Sequence, residues 1–343
     1  MAIKLTQTDD CGGCAAKINP IDLFSLIENI PTVVGDRISV DFRTGDDACI
    51  YNLEDSAKSL VFTTDFISPI VDDPFDYGRI AAVNALSDIY AMGGTPILAL
   101  NIVCFNEALG FDVLNKILEG GSQVCLETNT ALCGGHTVKN SELRYGMAVI
   151  GTVDPKKVIT NSNGASGDIL YLTKPLGTGI LSQALKNNLL PESGKKLLTD
   201  QLCELNDKVA IVMQKLGLSC ATDITGFGFV GHLLKLLQSS KCSAEVEIER
   251  IPYLPDSLEY ASNNVYSSSL EKNKVYVENF LTGAYKGKPQ EKLLFDPQTS
   301  GGMLICVQPE KKSSFEKEMK RNNLRFYRVG KLLDSDNLSI KIN

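Results

Sequence analysis

A chain of 343 residues, 43% apolar and 22% charged, has the composition of a globular protein and the length of one large domain or two. Its formal net charge of −7, from 34 basic and 41 acidic residues, argues against nucleic acid, whose readers carry a basic patch. The same charge means that a polyanionic ligand must be met by local donors and cations. The opening MAIKLTQTDD has no apolar core of leader length, and no stretch approaches the roughly 18–20 apolar residues that cross a bilayer. A cytoplasmic protein without membrane or nucleic-acid contacts is expected, and its 10 cysteines are expected to be reduced and mostly buried.

In chain order, residues 1–18 are poor in apolar side chains, which predicts a segment that is mobile until a ligand orders it. Asn19-Pro20 then marks a helix start, with Asn as cap and Pro in the first turn; Leu23, Phe24, Ile27 and Ile30 recur behind it at helical spacing. Residues 59–66 (SLVFTTDF) read as a strand ending in a polar cluster. Residues 75–92 read as a long helix closed by Gly93-Gly94. The continuous apolar run 96–104 predicts a buried strand, 113–127 a helix, and 131–137 and 145–153 strands. The polar, turn-rich stretch 154–167 is the expected domain boundary. Beyond it come a strand at 169–173, helices over 179–186 and 195–216, a strand at 244–251, a polar stretch at 263–273 and a strand at 303–307. Helices and strands alternate without the regular beat of a barrel, so the class is α+β or α/β, in two parts.

Three constellations could carry chemistry. Cys11 and Cys14 sit in the Gly-rich DDCGGCAAK, with Lys17 three residues beyond Cys14 and a helix start just after it. A nearby cation or helix N-terminus lowers a thiol's pKa and makes it a nucleophile. The competing reading is two incidental thiols, and spacing alone does not separate the two. A structural zinc site wants four ligands, and there is no second close Cys pair and only His136 and His232 for histidine. The second set is aspartates at segment ends: Asp46-Asp47 after Gly45, Asp65 after two threonines, Asp88 in the apolar helix and Asp223 in ATDITGFG. Mg²⁺ takes a few carboxylates plus phosphate oxygens and water. Each aspartate alone reads as a cap, turn or surface charge, but Asp88 would be costly to bury unpaired. The third set is the Gly-rich turns GGHT (134–137), GFGFVG (226–231) and TSGG (299–302), where backbone N–H groups can approach phosphate. No P-loop signature occurs, so ATP would bind by another mode.

Six of these pieces stand in order: GCAAKINP (13–20), GDDACIY (45–51), TTDFISPIVDDPFDYGRIAAVNALSDIYAMGG (63–94), CGGHT (133–137), TDITGFGFVGHL (222–233) and FDPQTSGG (295–302). Together they resemble selenophosphate synthetase (selenide, water dikinase) over nearly the whole chain. The resemblance implies an α+β, two-domain fold like that of aminoimidazole ribonucleotide synthetase. Its expected parts are a mobile N-terminal catalytic segment (1–18), an ATP-binding and dimerisation domain (19–155) and a C-terminal α+β domain (156–343). The N-terminal sheets of two chains would pair into a barrel in a homodimer. It also implies the reaction: ATP, selenide and water give selenophosphate, AMP and orthophosphate, with Mg²⁺ as cofactor. Whether selenium arrives free or on a delivery protein is left open.

Carried over by motif, Cys14 is the catalytic thiol position and Lys17 the essential lysine. Asp47, Asp88 and Asp223 match the Mg²⁺ ligands. Lys17, Thr44, Gly45, Asp46, Asp65 and Asp88 match ATP contacts, while Gly135, His136 and Thr137 match a stretch that reaches the ATP of the other subunit. One departure stands out: relatives often carry a second cysteine directly before the lysine, where this chain has Ala15-Ala16. A vicinal thiol pair is therefore in doubt, and Cys11 lies upstream. The alternatives are a related kinase or synthetase, which would share the aspartates without needing Cys14 and Lys17, and a non-catalytic nucleotide-binding paralogue, against which Cys14 argues. A NAD-dependent enzyme built on GFGFVG fails because the polar SCATDIT precedes that turn where an apolar strand is wanted.

Overall fold

A computed structural model describes residues 4–9, 12–17, 23, 26, 30, 35–334 and 337–343. Cys11 and most of the helix expected after Asn19-Pro20 lie outside the described residues. The architecture is organised around one helix, Pro74–Ala91 (α1). Asp73 caps it, its Oδ1 accepting the Asp76 N–H at 2.9 Å, with Pro in the first turn. It ends where expected: the Gly94 N–H reaches Ile89 O at 2.8 Å and the Gly93 N–H reaches Tyr90 O at 3.0 Å, with Gly93 at φ +74°. That is a Schellman cap. Most residues from Tyr77 to Ala91 are buried, because α1 is clamped from both sides and has no solvent face.

On one side lies a six-stranded sheet. Its strands are Ile38–Val40 (β1), Cys49–Asn52 (β2), Ser59–Ile67 (β3), Thr95–Phe105 (β4), Ala131–Lys139 (β5) and Arg144–Val153 (β6), in the order β1-β2-β3-β6-β4-β5. All neighbours are antiparallel except β4 and β5. Helix Phe111–Glu127 (α2) packs on α1 through glycines. A Cβ on Gly120 would stand 2.0 Å from Phe75 O, so the two backbones meet where no side chain fits. The other face of this sheet is open. Phe62, Ile150 and Leu98 share one cross-strand row, and Thr64, Ala148 and Leu100 the next. Phe62, Phe66 and Leu100 are 49%, 51% and 41% exposed. The run at 96–104 is a strand, as expected, but only part of it is buried: burial largely alternates along β4, because only one of its two faces meets the helices.

On the other side α1 touches the second half, whose seven strands run β10-β13-β9-β12-β7-β11-β8. They are Ile169–Leu172 (β7), Cys220–Asp223 (β8), Ser243–Val246 (β9), Leu281–Gly283 (β10), Met303–Val307 (β11), Tyr327–Leu333 (β12) and Ile340–Ile342 (β13). Around them lie Thr178–Lys186 (α3), Glu192–Leu202 (α4), Asp207–Leu216 (α5), Gly228–Ser240 (α6), Ser257–Ser262 (α7), Ser268–Val277 (α8) and Lys312–Arg321 (α9). Several expectations are corrected here. The helical stretch at 195–216 is two helices, α4 and α5. The strand at 244–251 stops at Val246 and passes into a 3-10 turn, Ile248–Arg250. The polar stretch at 263–273 contains the start of α8, whose buried Leu270, Asn273 and Val277 recur at i, i+3 and i+7. SCATDIT holds a fully buried strand, β8, so a strand does precede GFGFVG. Its polar residues are buried because they face the site described below. Among the described residues, no helix is long and apolar enough to cross a membrane.

Candidate active site

Cys14–Ala16 form a short 3-10 turn pinned from three directions. The Gly13 N–H donates to Ser68 O at 3.1 Å, the Cys14 N–H to Thr299 Oγ1 at 2.9 Å and the Ser269 hydroxyl to Ala15 O at 2.6 Å. Gly13 sits at φ +59°, and a Cβ there would lie 2.3 Å from Thr299 Oγ1; conformation and space both demand glycine. Docked in this way, Cys14 is 1% exposed and its thiol donates to Asn84 Oδ1 at 3.4 Å. Burial pushes the thiol up to about 12; Lys17 and Thr299 pull it down, while Asp65 and Asp223 add to the rise.

Asn84 joins the parts. Its Oδ1 also accepts the Ser300 N–H at 2.9 Å, and its amide nitrogen donates to Asp65 Oδ2. The same carboxylate oxygen pairs with Lys17 Nζ at 3.3 Å. Burial would lower the Lys17 ammonium, but Asp65, Cys14, Asp88 and Asp223 together raise it above its ordinary value. The sequence reading missed Asn84, although its signal is there: it stands four residues before Asp88, so the two polar groups share one face of α1. Thr299 and Ser300, also missed as individuals, belong to the TSGG turn that was noted for its glycines.

Three carboxylates crowd beside this turn from three elements. Asp88, on α1, accepts from the Thr63 hydroxyl. Asp47, just before β2, accepts from the Thr222 hydroxyl at 2.9 Å through Oδ1. Asp223 ends β8. Burial raises all three above the ordinary carboxylate value, and mutual repulsion adds to the rise at Asp47 and Asp88. Asp47 Oδ2 and Asp223 Oδ2 are buried without a hydrogen-bond partner. Such oxygens are costly unless a cation meets them, so the donor set fits Mg²⁺. No group of three His, Cys, Asp or Glu among the described residues could hold one ion by itself. An ion here needs phosphate oxygens and water to complete its shell, which is the usual habit of Mg²⁺.

The turn carrying Thr44, Gly45 and Asp46 is anchored to the second half. The Asn161 N–H donates to Asp46 Oδ1 at 2.6 Å and its amide to Gly45 O at 3.0 Å; the Ser239 hydroxyl donates to Thr44 O at 2.8 Å. Thr44 and Gly45 line an open cavity of ≈ 530 Å³ that Lys235 and Tyr276 also border. Cys14, Lys17, Asp47, Asp65, Asp88 and Asp223 thus come together, with the Thr44–Gly45–Asp46 turn joined to Asp47 by the chain itself. Gly135, His136 and Thr137 do not join them. They lie exposed on β5, the open edge strand of the first sheet.

The family model for the AIR synthase related protein, N-terminal domain, matches residues 45–153, and that for its C-terminal domain matches residues 165–343. A selenide, water dikinase of Carboxydothermus hydrogenoformans is 41% identical over 330 residues, covering 96% of each chain. One from Pseudomonas straminea is 43% identical over 310 residues, covering 89% of this chain and 87% of its own. Among solved structures, thiamine monophosphate kinase from Aquifex aeolicus superposes with a TM-score of 0.67 at 20% identity, covering 95% of this chain and 96% of its own, which speaks for the fold alone. The two family models with their near full-length relatives, and the cysteine–lysine turn docked on buried aspartates, lead to one conclusion: this chain belongs to the selenide, water dikinase family and has the AIR-synthase-related fold.

Proposed function

We propose that the protein makes selenophosphate from ATP, selenide and water, releasing AMP and orthophosphate. One observation carries the reading: a thiol and an ammonium three residues apart are docked as a unit against carboxylates whose buried oxygens lack partners. An ATP-binding kinase fold alone needs the carboxylates but has no use for Cys14.

Asp47, Asp88 and Asp223 would serve as protein ligands to several Mg²⁺ ions, and those ions, when bound, would supply positive charge against the triphosphate. Lys17, paired with Asp65 when no nucleotide is present, would exchange that partner for a phosphate oxygen. Thr44, Gly45, Asp46, Asp65 and Asp88 would make the remaining contacts of this subunit to ATP. Burial, the largest cause, keeps Cys14 a neutral thiol at neutral pH, with Asp65 and Asp223 adding to the rise and Lys17 opposing it. Cations that neutralise those carboxylates would ease thiolate formation without removing the burial that opposes it. The docked turn keeps water off the thiol, as a transfer to selenium ahead of water requires. Residues 1–18 would act as the lid that opens and closes over this site.

The open face of the first sheet supports a homodimer. Its exposed rows of Phe62, Phe66 and Leu100 form a patch of the kind that marks a protein interface. A second copy across it would bring the partner's β5 edge, with Gly135, His136 and Thr137, toward the nucleotide.

The test is anaerobic ³¹P NMR with Mg-ATP, with and without selenide. A selenium-coupled phosphorus resonance accompanied by AMP and orthophosphate is expected. ADP alone, formed regardless of selenide, would overturn the reading.

A further inference from the structure

Beside the Cys14 turn lies a second, much smaller cavity. It offers ≈ 20 Å³ to the centre of a water-sized sphere and is lined by Gly12, Ala15, Ile70, Lys186, Ser267 and Thr299, among others. One water needs about 10–15 Å³ on this measure, so the space admits one or two small centres and excludes a phosphate or a nucleotide. Ser267 is the N-cap residue of α8, yet its side chain makes no capping bond. It is 9% exposed, and its Oγ is buried without any partner. A serine in that position normally satisfies its hydroxyl on the helix's own N–H groups; here the hydroxyl is left for something in the void.

The surroundings suit an anion that is small and soft. The N-terminus of α8 offers positive potential, and Lys186, whose Nζ also donates to Asp9 O, adds a cation. Asp296 is an opposing charge nearby: its Oδ2 accepts the Gly179 and Ile180 N–H groups at the start of α3, its Oδ1 is buried without a partner, and burial raises its carboxyl to about 7, which takes away part of its charge near neutral pH. Ile70, Ala15 and glycine backbone supply apolar wall, which a polarisable, weakly hydrated ion tolerates and an oxyanion does not. Thr299 both lines the void and holds the Cys14 N–H, so one side chain touches both. We infer that this cavity is the holding site for the selenium substrate, taken as the hydroselenide anion, one heavy atom in size. The inference rests on the function proposed above and adds to it a place for selenium apart from the nucleotide.

Two variants and one direct observation test it. Ser267→Leu fills the void and should raise the KM for hydroselenide about tenfold or more, leaving the KM for Mg-ATP unchanged. Ser267→Ala removes only the hydroxyl and should raise it about fivefold. Crystals of the wild-type protein soaked in hydroselenide under argon should show selenium-edge anomalous density between Ser267 and Ala15. Wild-type affinity for selenide in a Ser267→Leu protein of normal melting temperature would overturn the inference, as would selenium density elsewhere or water alone in the void. If Ser267→Leu does not fold, the soaked wild-type crystal still decides. A wild-type protein that makes no selenophosphate would instead remove the function itself, a result separable from selenide turnover that is merely indifferent to Ser267.

Discussion

Cys14 is buried, hydrogen-bonded to Asn84 and faced by two aspartates, so its thiol should titrate near about 12 in the metal-free protein. A ¹³Cβ NMR titration of labelled cysteine reads this directly, and a Cys14 midpoint at the ordinary 9.0 would mean that the turn is not docked. Cys14→Ser should keep nucleotide binding and lose selenophosphate formation; normal product from that variant would end the thiol's assigned role. Asp88→Asn should cut nucleotide hydrolysis by on the order of a hundredfold or more while the fold survives, and full activity would remove Asp88 from the metal site. The same variant has a signature in stability. Asp88 is held above its ordinary 3.8 in the folded state, so there the folded protein binds more protons than the unfolded chain, and stability falls as pH rises through that window. Asparagine has no proton to lose. Without metal, the melting temperature of Asp88→Asn minus that of wild type should therefore grow from pH 3.8 upward, and Mg²⁺ should shrink the gap. These residues were legible to different degrees. Cys14, Lys17 and the aspartates stand in sequence segments whose pattern points to chemistry. Asn84, Thr299 and Ser267 do not, because an amide or hydroxyl in an ordinary helix or turn acquires its role only from what folding places opposite it.

At the scale of elements, α1 was the most legible part of the chain, since Asp73, Pro74 and the Gly93-Gly94 end are local signals that act through neighbouring backbone. The crossing of α1 and α2 is not local. It depends on Gly78 and Gly120, where a Cβ would stand 2.0 Å from Ile117 O and from Phe75 O respectively. Gly120→Val should lower stability by about 1–3 kcal/mol, read from the urea midpoint, and an unchanged midpoint would mean that the helices can part without cost. The elements least legible in the sequence were those whose burial comes from distant partners. β8 carries Thr222 and Asp223 into the interior because they serve the site, and α8 hides a buried stripe under a polar composition.

For the whole molecule, the open face of the first sheet makes the assembly testable. Leu100→Glu places a charge on that face, and if a second copy covers it the variant should sediment as a monomer with weakened Mg-ATP binding, while wild type sediments as a dimer. A wild-type monomer of full activity would overturn both the homodimer and the role given to Gly135, His136 and Thr137. The sequence by itself determined a chain of mixed helices and strands in two parts, most of those elements and the residue types of the site, because periodicity, caps and glycine turns are short-range physics. Only the tertiary structure decided which of these meet. Cys14 and Thr299 are far apart along the chain, as are Asp47 and Asp223, and they share a site because α1 is buried between two sheets. Burial and charge there depend on several segments at once: a carboxylate's cost, a thiol's protonation and a serine's missing partner are properties of the packed neighbourhood, which no single stretch of chain contains.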